Sequence, residues 1–171
     1  MATLVLTVIG DDRAGLVNSL AAIVAAHGGN WERSQLAEQA GKFAGLVTVT
    51  VADDTVAALV AALDPLAGLL DVTVQRAGDE RPARAGRSVR LELIGGDRPG
   101  IVAEITAVLT RHRVNIELLQ TAVRDAPMSG GQLFEATAEI IVPDGVDLDD
   151  VRAELETLAD ELMVELLLSD G

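Results

Sequence analysis

Asp12-Arg13-Ala14-Gly15-Leu16-Val17 returns later in the chain as Asp97-Arg98-Pro99-Gly100-Ile101-Val102, displaced by 85 residues. The same displacement carries Leu6 onto Leu91, Leu20 onto Ile105, His27 onto His112, Asn30 onto Asn115 and Gln35 onto Gln120. Turn, helix stripe and polar markers matching at one offset mean an internal duplication. Farther along, Phe43 meets Phe134 and Asp53 meets Asp144 at an offset of 91, so the second copy carries extra residues between Arg124 and Gly131. Pro127, Gly130 and Gly131 lie in that insertion, which predicts a lengthened hairpin loop.

Outward from the quoted turn, the apolar pattern changes its period. Before the turn, residues 3–9 and 88–94 read as apolar strands ending in a Gly-rich bend. After it, Leu16, Val17, Leu20, Ile23 and Val24, and likewise Ile101, Val102, Ile105, Val108 and Leu109, have the spacing of one buried helix stripe. Gly28-Gly29 stops the first of these helices. A strand pair follows in each copy, 30–40 with 43–51 and 114–124 with 131–142, the first joined by a tight turn at Ala40-Gly41-Lys42. Next come a helix from Asp54 to Leu63 and one from Asp147 through Val151, Leu155, Leu158 and Leu162. Acidic residues are expected in their first turns, where they suit the helix dipole. Strands near 69–76 and 163–168 close the copies.

The order is βαββαβ twice, an α+β chain of two ferredoxin-like modules, each a four-stranded antiparallel sheet with both helices on one face. The modules are placed at residues 1–77 and 88–171, with 78–87 as a solvated connector marked by Gly78, Pro82 and Gly86. A domain this small buries only about 60% of its unfolded surface, and its sheet keeps a bare face and open edges. The copies are therefore expected to pack together, and a homodimer of chains is one further use of the edges.

Composition removes whole classes of function. The 171 residues contain no cysteine, which excludes disulfides, thiolate nucleophiles and Cys-ligated metal, and only three aromatic residues, Trp31, Phe43 and Phe134. The net charge of −14 divides as −4 over residues 1–85 and −10 over 86–171. So acidic a surface repels phosphate backbones, and with no basic stripe, direct binding to nucleic acid is not expected. The chain opens into a strand with no signal-type segment and has no membrane-length apolar run, so a cytoplasmic location is expected, with no membrane partner. Two histidines and no nucleophile elbow or metal-ligand spacing leave nothing to support catalysis, and no cofactor or metal is expected. Gly95-Gly96-Asp97-Arg98-Pro99-Gly100 is neither a dinucleotide nor a phosphate loop, and its acid would repel phosphate.

The chemistry that remains is small-molecule binding at the duplicated turn. Gly15 and Gly100 let the main chain approach a ligand, and the free N–H groups at the helix starts, around Ala14, Gly15 and Leu16 and around Pro99, Gly100 and Ile101, can hold a carboxylate. An ammonium group would find acceptors in Asp11, Asp12 and Asp97, and Asn30 and Asn115 can both donate and accept. Plainer roles compete. Asp12 and Asp97 suit helix N-caps, the glycines can serve the turn alone, the asparagines can bridge strand to turn, Arg13 and Arg98 can pair with local acids, and His27 and His112 suit helix C-terminal carbonyls. Ala14 in place of Pro99 removes a fixed φ from the first turn, which predicts a looser or empty first site.

Taken together, the strand, the Asp-Arg-Pro-Gly-Ile-Val turn opening a helix, and the Val-Asn-Ile opening the next strand resemble the ACT domain, an amino-acid-sensing module of metabolic enzymes. Two copies with nothing else, and Pro127, Gly130, Gln132, Leu133 and Phe134 in the second hairpin, resemble the glycine cleavage system transcriptional repressor family. That resemblance implies a regulator without catalysis, responding to glycine or another amino acid through a protein partner. In ACT domains the ligand-contacting positions resemble Asp12, Asp97, Asn30 and Asn115 here. The alternative is a scaffold that keeps the fold, binds no ligand and serves only dimerisation or interaction.

Overall fold

A computed structural model describes residues 1–78, 85–126 and 131–170. The chain divides into two compact units on either side of residues 81 and 82. In the first unit the order is β1 (Ala2–Asp11), α1 (Leu16–Ala26), β2 (Asn30–Gln39), β3 (Lys42–Val51), α2 (Val56–Leu63), a single 3₁₀ turn (Asp64–Leu66) and β4 (Asp71–Arg76). In the second it is β5 (Gly86–Gly96), α3 (Ile101–Arg111), β6 (Asn115–Asp125), β7 (Gln132–Pro143), α4 (Leu148–Leu162) and β8 (Val164–Asp170). Each unit has the βαββαβ order read from the sequence. Gly86 and Arg87, expected in the connector, are the first residues of β5, paired with Pro143 and Val142. Most of the connector, and Pro127 and Gly130 of the long hairpin, lie outside the described residues.

Both sheets are antiparallel, in the orders β2-β3-β1-β4 and β6-β7-β5-β8. The central strands alternate, as strands buried on one face must. In β1, Leu4, Leu6 and Val8 are buried with Leu16, Leu20 and Val24 of α1 and Leu59 and Leu63 of α2, so both helices cover the same face. The second unit repeats this with Leu91 and Leu93, Ile101, Ile105 and Leu109, and Val151 and Leu155. Of the helix stripe, the i, i+4 and i+8 positions go inward, while Val17 and Val102 swing to the edge and stay 44% and 40% exposed.

The first hairpin closes on Ala40 and Gly41, both at positive φ (51° and 79°), the backbone that a two-residue turn needs to match strand twist. One expectation about the helices fails. The first turn of α2 carries no acid: Asp53 lies outside the helix and pairs with the N-terminal ammonium and Arg76, which hold its carboxyl below its usual range. In α4 the expectation holds, with Asp147 capping the Asp149 N–H at 2.9 Å and Asp149 and Asp150 in the first turn.

Candidate functional site

The turn of the first module is fastened at both ends by main-chain bonds. The Asp12 N–H donates to the Gly41 carbonyl (2.9 Å), which ties the turn to the tip of the β2–β3 hairpin. Gly15 then enters α1 at φ 96° and ψ −8°, a left-handed conformation that glycine adopts without a Cβ clash. The helical bonding begins with the Ser19 N–H donating to the Gly15 carbonyl (2.9 Å), so the amides of Leu16, Val17 and Asn18 precede the first intrahelical bond. No side chain caps this helix start. Asp12 is therefore not the N-cap that the sequence suggested, and neither is Asp97: the chain runs three residues further and hands the cap to glycine in each copy.

The second turn is built to the same plan. The Asp97 N–H donates to the Gln132 carbonyl (2.9 Å), Gly100 sits at φ 100° and ψ −12°, and α3 starts with the Glu104 N–H donating to the Gly100 carbonyl (3.0 Å). Ala14 and Pro99 lead into nearly the same glycine conformation, so the absence of proline does not reshape the first turn.

The side chains around the two turns differ, and the difference is electrostatic. In the second module Arg98 Nη2 donates to both carboxylate oxygens of Glu104, at 2.8 and 3.0 Å. Glu104 Oε1 lies 3.3 Å from where a Cβ on Gly100 would stand, so a negative charge already occupies the mouth of that helix. In the first module the equivalent of Glu104 is Ser19, and Arg13 Nη2 donates instead to the Gly68 carbonyl (3.3 Å). Lys42 pairs with Asp11 and holds its carboxyl below its usual range. Asp11 thus spends its charge inside the chain, whereas Asp12 makes no ion pair among the described residues.

The asparagines are not beside these turns. Asn30 opens β2 opposite Thr50, which lies opposite Thr3, whereas the turn leaves the other end of β1 after Asp11. At about 3.3 Å per residue that separation is roughly 25 Å. Asn115 repeats the arrangement, opposite Ile141 and thence Ser88, while the second turn follows Gly96. Within one module, turn and asparagine cannot share one amino-acid-sized ligand, and the single-module site reduces to turn, helix start and Asp12 or Asp97. His27 meets the helix-end expectation, its Nδ1 donating to the Ile23 carbonyl (2.8 Å), but His112 does not: its Nε2 contacts the Glu154 carboxylate (2.6 Å) and no helix carbonyl among the described residues. Arg111 and then His112 keep the Glu154 carboxyl below its usual range.

Glu104 and Lys42 are the neighbours that sequence reasoning missed. The signal for Glu104 was present, since an acid replaces Ser19 at the repeat's own offset.

Comparison with known proteins gives a consistent answer. Family models described as the ACT domain match residues 2–76 and 89–160. A UPF0237 protein of Methanopyrus kandleri is 37% identical over 78 residues, spanning 44% of this chain and 79% of that protein. Among solved structures, a protein of unknown function from Galdieria sulphuraria has a TM-score of 0.84 at 29% identity, covering 99% of this chain and 98% of its own. A protein provisionally named a glycine cleavage system transcriptional repressor has a TM-score of 0.69 at 20% identity, covering 98% and 96%.

Proposed function

Since the chain belongs to the ACT-domain family, as two ACT domains in tandem, we propose that it is a non-catalytic cytoplasmic regulator that senses an amino acid and passes the signal to a protein partner. The observation that carries this reading is a glycine-opened helix start whose first amides have no capping side chain in either copy. An α-carboxylate supplies the anion such a start accommodates, and Asp12 supplies a nearby acceptor for the α-ammonium. The name carried by the structure at 20% identity supports control of glycine cleavage or related amino-acid metabolism as the process served.

The test is thermal melting against each of the twenty amino acids. At about 100 times its dissociation constant a ligand of the native state adds about 2.7 kcal/mol and raises the midpoint. One or a few amino acids are expected to do so; a flat result across all of them leaves only the scaffold reading.

The two turns should not serve equally. Glu104 places a carboxylate where a ligand's would sit and engages Arg98, so binding is expected first at the turn of module 1. Glu104→Ser, which installs the residue of the first copy, is expected to raise the stoichiometry in titration calorimetry from one ligand towards two per chain. An unchanged stoichiometry would remove Glu104 from the account.

A further inference from the structure

The outer faces of the two sheets, which point away from the helices, share a register and differ in chemistry. In module 1, Ile9 lies between Ala44 and Asp71, and the next row along is Leu46, Thr7 and Thr73. In module 2 the corresponding rows are Glu135, Ile94 and Glu165, then Thr137, Glu92 and Leu167. Glu92 and Glu135 thus replace Thr7 and Ala44, while the exposed leucine of the row moves from Leu46 on β3 to Leu167 on β8, where Thr137 and Thr73 are the counterparts. The first copy shows that this fold can be built without either acid and without a leucine on its last strand, and like charges gathered on one sheet face oppose each other. Arg90 pairs with Glu92 (2.7 Å) and Arg124 with Glu135 (3.1 Å), but Glu165 makes no ion pair among the described residues. Amid these acids, Ile94 stays 38% and Leu167 57% exposed, in an open groove across β7, β5 and β8.

We propose that this groove receives a basic amphipathic helix of a partner protein. Charge complementarity identifies the occupant: an aliphatic patch rimmed by carboxylates, within residues 86–171, which carry −10 of the −14 charges, fits a cationic surface with an apolar centre. Spacing identifies the helix. Glu135 and Glu165 flank Ile94 across two strand intervals, about 10 Å at about 4.8 Å each. Two residues seven apart on a helix are separated by about 10.5 Å on the same face, with the positions three and four along between them. Lysines at those ends would meet Glu135 and Glu165 while a leucine between them met Ile94 and Leu167. The inference rests on the reading that the chain acts through a protein partner, and it is independent of where the amino acid binds.

The test is fluorescence anisotropy with a helix-forming Lys/Leu/Ala peptide of that spacing, titrated with the full chain. Saturable binding is expected, weakening as salt rises. A face variant carrying Glu92→Thr, Glu135→Ala and Leu167→Thr, all residues the first copy uses at these places, should bind about tenfold more weakly. A control with Glu156→Gln and Glu161→Gln, which loses the same number of charges from α4, should bind as the parent does. Leu167→Thr alone, also expected to weaken binding, serves if the triple variant does not fold. The proposal is overturned if the parent shows no saturable binding, if face and control variants weaken alike, or if a peptide with Glu for Lys binds as tightly. Amino-acid melting shifts measured on the same variants should persist in all of them, so failed docking and failed sensing give different results.

Discussion

Gly45→Ala should destabilise module 1 by about 3 kcal/mol, because it combines main-chain overpacking with backbone strain. Gly45 sits in the central strand β3 at φ 154°, opposite Leu36 of β2. A Cβ built on it would stand 1.9 Å from the Gln35 carbonyl oxygen and 2.9 Å from the Leu36 Cα. Both are main-chain atoms, so no rotamer change relieves the clash, and the two strands would have to part. The second copy has Ala136 at the equivalent place, opposite Thr121. Ala136→Gly should accordingly cost no more than about 1 kcal/mol, the ordinary penalty of glycine in a strand. Urea unfolding of the two variants reads both numbers; a Gly45→Ala midpoint matching the parent would mean that the strands approach less closely than described.

Gly15→Val is the second large effect, and it falls on ligand binding. A β-branched residue at φ 96° is a severe outlier, so the turn is expected to leave the left-handed conformation and redirect the first amides of α1. Two charge-assisted hydrogen bonds lost at about 1.5 kcal/mol each amount to about 3 kcal/mol, or roughly a hundredfold in affinity. No side chain lies within 4 Å of the new Cβ, so the loss should arise from backbone geometry without a packing clash. Titration calorimetry against the amino acid that shifts the melt, together with circular dichroism to confirm folding, is the check. Retained affinity in a folded Gly15→Val chain would place the ligand away from this helix start.

The duplicated pattern made the fold legible. Strand alternation and the helix stripe recur at one offset, and each copy corroborates the other's reading, although Gly28-Gly29 and the tight turn at Ala40-Gly41 belong to the first copy alone. The candidate site was half legible. Gly15 and Gly100 do open the helices, but of the two roles open to Asp12 and Asp97, ammonium acceptor and helix cap, the cap fails, and nothing in composition reveals a glycine cap at positive φ. Asn30 and Asn115 were misplaced for a topological reason. The helix returns the chain to the start of β1, so the opening residue of β2 pairs near Thr3 and not near Asp11. Sequence adjacency to the helix end hides that distance. Asp54 suggested a dipole partner for α2, yet the helix begins only after Thr55, and the neighbouring Asp53 is engaged in a tertiary ion pair.

The apolar interiors of the two copies share no residue: one draws on Leu4, Leu20 and Leu59, the other on Leu91, Leu109 and Leu155. Heredity can therefore act on the halves separately. A codon change that loosens one interior leaves every member of the other in place, so either half is free to specialise while its twin preserves the ancestral task. Ser19 where the second copy has Glu104, and Thr7 where it has Glu92, are the replacements on which such a division of labour would rest, with reception proposed for the first half and docking for the second.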